Sequence, residues 1–264
     1  MTTEEFYFLA FCVTAFILGA CFGSFSGVLI ERLPAGENIA TVPSHCDSCG
    51  EQIKAYDNIP LVSYVVLGGK CRHCKAKIPF SAFLVELLNA VLWCAFAYLS
   101  KYFGYTYSIV SALASTALLT AAFIDFRHGY IPDGISVFLA VIGAIACFFD
   151  KTYVVWSERL LGVEFTLVFF GGFYLAARFL LKKEALGLGD VKLMIAAGLV
   201  LGIKSAFFAT LVASVVASVV LGIRAAKKNE KGVEYPFAPF LAAGCVIALF
   251  VGTYLVDAYL AIFS

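Results

Sequence analysis

Gly187-Leu188-Gly189-Asp190 stands at the mouth of an apolar run, and Asp125 closes another at Phe123-Ile124-Asp125. A carboxylate at the edge of hydrocarbon is costly, which makes each a candidate functional group. Two such groups brought together can share one proton and activate water against a carbonyl carbon. Plainer roles exist for both. Asp190 can cap the helix that follows or pair with Lys192. Asp125 opposes the dipole at a helix C-terminus and can pair with Arg127 or His128. Asp133, after Pro132, reads as the N-cap of the next helix, so Asp125–Asp190 is preferred to Asp133–Asp190.

A second constellation is Cys46-Asp-Ser-Cys49 with Cys71-Arg-His-Cys74. Two Cys-x-x-Cys knuckles at this separation have the spacing of a four-thiolate zinc site, with disulfides or unpaired thiols as the alternatives. Four thiolates leave no open coordination position, so such a zinc is structural. His45 and His73 flank the knuckles without being needed as ligands. The remaining cysteines, Cys12, Cys21, Cys94, Cys147 and Cys245, lie in apolar runs and read as small hydrophobes.

The elements that must position these groups are membrane helices. The chain is 62% hydrophobic and 14% charged, with a mean hydropathy of +0.92, the composition of an all-α polytopic membrane protein in a lipid bilayer. A net charge of +1 gives no ground for nucleic-acid binding. Apolar runs predict about eight transmembrane helices, over 6–30, 80–99, 105–124, 134–149, 160–181, 191–203, 205–223 and 236–256. The run 191–203 falls short of the ~20 residues of a full span. The first run follows Glu4 and Glu5 and is too long for a cleavable signal, so it reads as a transmembrane helix. Its Gly19, Gly23 and Gly27 form a close-packing face, not a nucleotide loop. The expected division is 1–30 first helix, 31–79 inserted four-cysteine zinc-binding domain and 80–264 transmembrane core.

Orientation follows from basic residues. Arg32, Lys54, Lys70, Arg72, Lys75 and Lys77 lie in the first loop, Arg127 in the third, and Lys182, Lys183, Arg224, Lys227, Lys228 and Lys231 in later odd loops. Alternate loops hold only Lys101, Lys151, Arg159 and Lys204. The positive-inside rule then puts both termini outside, with the aspartates and the cysteine domain facing the cytoplasm, where thiols stay reduced.

These residues resemble the type IV prepilin peptidases, bifunctional leader peptidases and N-methyltransferases of the bacterial inner membrane. The likeness runs through Gly23-Ser24-Phe25, Arg32-Leu33-Pro34, Pro43-Ser44-His45-Cys46, Tyr56-Asp57-Asn58-Ile59-Pro60 and Gly69-Lys70-Cys71-Arg72-His73-Cys74. It continues through Val85-Glu86-Leu87-Leu88-Asn89, Ile124-Asp125, Ile131-Pro132-Asp133, the Gly187–Leu193 block and Pro236-Phe237-Ala238-Pro239. Asp47 stands where many members have Pro, and Ser81-Ala82-Phe83 where Arg-Tyr-Pro is usual. The resemblance implies an aspartic peptidase with Asp125 and Asp190 catalytic. It implies type IV prepilin or pseudopilin substrates with a short basic leader ending in Gly, and N-methylation of the new amine from S-adenosylmethionine. It sets no oligomeric state. The residues leave open a related GxGD intramembrane peptidase without methyltransferase activity, against which the four-cysteine domain argues, and a proton-coupled transporter, for which no internal repeat is visible.

Overall fold

The computed structural model describes residues 2–39, 41–150, 154–181, 186–228 and 235–262. Among these, β structure amounts to two isolated bridges, His45 with Gln52 and Lys70 with Lys77. Six helices among the described residues are long and apolar enough to cross a membrane, so the protein is an all-α, multi-pass membrane protein. Two compact units divide it, Met1–Tyr102 and Phe103–Ser264.

In the first unit, α1 (Thr3–Ala35) opens on a capping box between Thr2 and Glu5 and ends at Gly36, whose φ of 67° suits glycine. It packs on α3 (Phe80–Phe103) at two glycines. A methyl group on Gly19 would lie 2.7 Å from Trp93 Cβ, and one on Gly23 would lie 2.6 Å from Glu86 Cα. Gly27 meets nothing within 4 Å. The packing face expected over three glycines therefore closes at two. Between these helices run a 3-10 turn (Ala55–Asp57) and the short α2 (Val62–Val66). Glu86 accepts a hydrogen bond from the Leu61 N–H at 2.8 Å. Arg32 turns back from α1 to donate to the carbonyls of Val42 (2.7 Å) and Pro43 (3.2 Å).

In the second unit, α4 (Tyr105–His128) is the most enclosed span. Its buried Ala112, Ala114, Ala117 and Ala121 let neighbours approach. The hydroxyls of Thr116 and Thr120 are satisfied by carbonyls one turn back. Then come α5 (Asp133–Phe149) and α6 (Trp156–Thr166), which continues through a π-helical turn (Leu167–Gly171), α7 (Gly172–Ala176) and a second π-helical turn (Ala177–Leu181). The helices α8 (Leu188–Lys228) and α9 (Ala238–Leu260) complete it.

Helix α8 is broken at Gly202, at φ 73° and ψ 171°, a conformation open to glycine alone. Before the break, Met194 meets Cys245 of α9 at 3.7 Å between sulfurs. Beyond it, Ser205 lies against Gly252, while Ala209 and Ala213 lie against Gly244. The second arm thus runs antiparallel to α9, and the two arms correspond to the runs expected at 191–203 and 205–223. The break strips the carbonyls near the end of the first arm of helical partners. Arg159 supplies them, donating to Leu199 O (3.2 Å) and Val200 O (2.7 Å), and its other nitrogens reach Val154 O (3.2 Å) and Asp150 Oδ2 (2.6 Å). Counted in the sequence as a loop charge, Arg159 is wholly buried. The α6 backbone comes close enough here that a methyl group on Gly162 would stand 2.5 Å from Gly198 O. The basic stretches expected at 182–183 and at 231 lie outside the described residues.

Candidate functional site

Asp125 lies one turn from the end of α4, and the helix stops because Gly129 takes φ 71° and closes on the Asp125 carbonyl at 2.9 Å. Its carboxylate turns away from its own helix. Oδ2 accepts the Ala238 N–H at 3.0 Å, one of the unpaired amides that open α9. An anion that opposes the dipole of α4 thus complements that of α9. The side-chain signal that could have found this partner is the Pro236-Phe237-Ala238-Pro239 block, which starts a helix after a basic loop.

Asp190 occupies the first turn of α8, its N–H bonded to Gly187 O at 3.1 Å. Both aspartates are buried, Asp125 at 7% and Asp190 at 8% exposure, and they are close enough for the charge of Asp125 to act on Asp190. Asp190 Oδ1 is buried without a hydrogen-bond partner. The two glycines before it act through space rather than through unusual torsion, since neither has a positive φ. A methyl group on Gly187 would lie 3.2 Å from Asp190 Oδ2, and one on Gly189 would lie 3.2 Å from Ile131 Cβ. Gly187 leaves room for the carboxylate to fold back over the turn. Gly189 lets the loop between α4 and α5 close on the start of α8.

Lys192 does not pair with Asp190. It binds Asp133, at 2.8 and 3.0 Å, tying the start of α5 to the start of α8. Asp133 is the first residue of α5 and caps nothing with its side chain, since Pro132 holds the N-cap position. The rim carries exposed apolar side chains, Phe126, Tyr130 and Leu188.

In the first unit, the Sγ atoms of Cys46, Cys49, Cys71 and Cys74 all lie within 4.8 Å of one another. Each knuckle is built alike. Cys46 N bonds Glu51 O and Gly50 N bonds Cys46 O, while Cys71 N bonds Ala76 O and Lys75 N bonds Cys71 O. The residue after each second cysteine is left-handed, Gly50 at φ 71° and Lys75 at φ 62°. The Cys46–Cys74 sulfur separation is 3.8 Å. This is far beyond a disulfide and matches the ~3.8 Å edge of a tetrahedron with ~2.3 Å metal–sulfur bonds. N–H groups of Cys74 and His73 draw the Cys71 thiol down to about 7. Cys49 is bonded by the Glu51 backbone yet is pushed up to about 12 by burial and by Cys74 and Cys46. Thiols this close cannot all ionise without a cation among them. The donor set is that of a metal site.

Residues 17–100 match the bacterial peptidase A24 N-terminal domain, and residues 112–223 match the type IV leader peptidase family. The chain is 32% identical to the prepilin leader peptidase/N-methyltransferase of Pseudomonas aeruginosa, over 96% of this chain and 94% of that protein. It is 35% identical to the enzyme of that name from Myxococcus xanthus, over 80% of this chain and 62% of the other. It is also 31% identical to the type 4 prepilin-like proteins leader peptide-processing enzyme of Escherichia coli, over 92% and 95%. No solved structure matches it. With both family segments present in order and the similarity extending over nearly the whole chain, the protein belongs to the type IV leader peptidase family.

Proposed function

We infer that this chain is a membrane aspartic endopeptidase that removes the leader of type IV prepilins or pseudopilins and then N-methylates the new terminus. The observation that carries the peptidase half is the pair of buried carboxylates, Asp125 held by the Ala238 amide and Asp190 with an oxygen free of any hydrogen bond. Two neighbouring carboxylates share a proton because both cannot be charged cheaply, and the pair titrates as a unit. The ionised member takes a proton from water, and the protonated member polarises the scissile carbonyl. The tetrahedral intermediate then collapses with proton return to the leaving amine. The exposed Phe126, Tyr130 and Leu188 supply an apolar rim for the substrate helix.

The chain lies in the bacterial cytoplasmic membrane with both termini outside and with the aspartates and residues 31–79 facing the cytoplasm. The four-cysteine site holds a structural zinc ion. S-Adenosylmethionine supplies an electrophilic methyl group when bound. A cavity of about 350 Å³ beside the knuckles, rimmed by Lys54, Asp57, Arg72 and Lys77, is of small-molecule size. Its mixed charges suit the ammonium and carboxylate of that donor. The relatives' names, which carry both activities, support the methyltransferase half.

The test compares wild type, Asp125→Asn and Asp190→Asn on a detergent-solubilised prepilin, with methylation of pre-cleaved pilin followed in parallel. Loss of cleavage with methylation retained in both variants is expected. Cleavage at near wild-type rate by either variant overturns the aspartyl pair.

A further inference from the structure

Two layers of partly exposed charge bound the unit Phe103–Ser264. At one end the Asp133–Lys192 pair has side chains 70% and 43% exposed, two residues beyond Asp190 along α8. At the other end Lys204 binds Asp257 at 2.8 Å and Glu158 at 3.4 Å, and all three are 29–50% exposed. The distance between the layers is short. Helix α5 has 17 residues, about 25 Å at 1.5 Å per residue. The first arm of α8 reaches its break at Gly202 after residues 188–201, about 21 Å. A bilayer's hydrocarbon is about 30 Å thick.

Nor can α5 escape the mismatch by moving. Its start is tied to α8 through Lys192. The residue after its end, Asp150, is fixed by Arg159, which also holds Leu199 and Val200. Gly143 at its middle lies against Leu199, a methyl group there standing 2.9 Å from Leu199 Cγ. The opposite face is open. Val137, Phe138, Val141, Ile145, Phe148 and Phe149 are exposed, a short apolar surface along its length. A hydrophobic face shorter than the hydrocarbon draws the bilayer in, at a modest cost per ångström. A charged pair left in full-thickness hydrocarbon costs more.

We propose that this face of the protein binds lipid with a locally thinned bilayer, about 5 Å thinner than its surroundings along α5. Its occupant is lipid acyl chains, not a second copy or a partner helix. The thinning lowers the water interface toward the level of Asp190. In the peptidase reading, on which this consequence rests, it brings the end of a substrate's transmembrane segment within reach of the aspartates.

The full chain reconstituted in phosphatidylcholine vesicles tests both points. The sequence has two tryptophans, so Trp93→Phe leaves Trp156, at the far end, as the sole reporter. Trp93→Phe/Trp156→Phe/Tyr130→Trp moves the reporter to the site end. With doxyl groups at graded depths in the acyl chains, both reporters are expected to be quenched more by the shallow label than by the deep one. Stronger quenching of either by the deep label overturns the proposal, because one end then lies inside hydrocarbon of full thickness. Cleavage is then measured in lipids from di-14:1 to di-22:1. It is expected to be fastest in the two shortest and at least fivefold slower in the longest. A flat profile or an optimum in the longest lipids overturns the functional consequence. Absence of cleavage in every lipid counts against the peptidase reading, while the quenching result still decides the thinning.

Discussion

The Ala238 amide donates to Asp125 Oδ2 across 3.0 Å, joining the last turn of one helix to the first turn of another 113 residues away. The bond gives Asp125 a fixed orientation and gives α9 a cap that its own flanking residues do not supply. Asp190 arrives from a third helix with no such anchor on Oδ1. The two carboxylates are therefore held differently, Asp125 by an amide of another helix and Asp190 by the Gly187 backbone, with its buried Oδ1 left unpartnered.

If the two carboxylates act as one unit, their losses will not add. Asp125→Asn and Asp190→Asn should each lower the cleavage rate by about 10³-fold or more, and the double variant should be no slower than the worse single one. Rates normalised to folded protein check this. A double variant slower by the product of the two effects would mean independent roles.

The glycines of α1 offer an internal contrast. Gly23→Ala places a methyl group 2.6 Å from Glu86 Cα, against backbone that cannot swing aside. A loss of about 1–3 kcal/mol is expected. Gly27→Ala meets open space and should be neutral or stabilising by up to about 1 kcal/mol, from helix propensity alone. Thermal unfolding in one detergent ranks the two.

Arg159 and Asp150 are wholly buried together. Arg159→Met removes the buried ion pair with Asp150 and uncovers the carbonyls of Leu199 and Val200, so a loss of about 3–5 kcal/mol is expected. Adding Asp150→Leu should return part of it by removing the buried charge. Denaturant midpoints for the single and double variants read this directly, and equal instability of the two would show that the carbonyl cap matters more than the ion pair.

The four thiolates should hold about one zinc ion per chain. Metal analysis of purified protein is expected to find it, and Cys49→Ser or Cys74→Ser should lower retention at least tenfold after dialysis against a chelator. Cleavage at residues 41–77 by an added protease should rise in step. Full retention in both variants would rule out a four-cysteine site.

The Asp57–Arg72 pair predicts a pH dependence. Arg72 donates two hydrogen bonds to Asp57, at 2.6 and 2.7 Å, which holds the Asp57 carboxyl below the usual carboxylate range. A depressed folded value stabilises above the unfolded value, near ~3.9, and the effect disappears as pH falls through the lower folded value. Asp57→Asn should thus shorten the protease resistance of residues 54–77 at pH 7. The difference from wild type should narrow as pH falls through the lowered folded value. A difference that does not change with pH would remove Asp57 ionisation from the account.

Much of this was legible in the chain because local chemistry announces itself. The Cys-x-x-Cys knuckles need only their own turns, and Gly-x-Gly-Asp needs only the start of a helix. The partners were not legible. Lys192 lies two residues from Asp190 yet binds Asp133, and Asp125 accepts an amide far along the sequence. Arg159 looked like a loop charge because burial of an arginine is affordable only once a broken helix end offers it carbonyls, and the break at Gly202 depends on tertiary packing. What the glycines before Asp190 supply is space, for its carboxylate and for Ile131, and not an unusual torsion.

The reversal at Gly202 also bears on how the protein is made. An arm of residues 188–201 is too short to be taken into a bilayer as an independent span. It must enter together with the arm that follows, as a helical hairpin. Asp190 thus reaches its buried position only when synthesis has passed the second arm, and the Ala238 amide that orients Asp125 emerges later still. The anchor of Asp125 is thus supplied by the last quarter of the chain, so a nascent or truncated protein is inserted before that carboxylate is held.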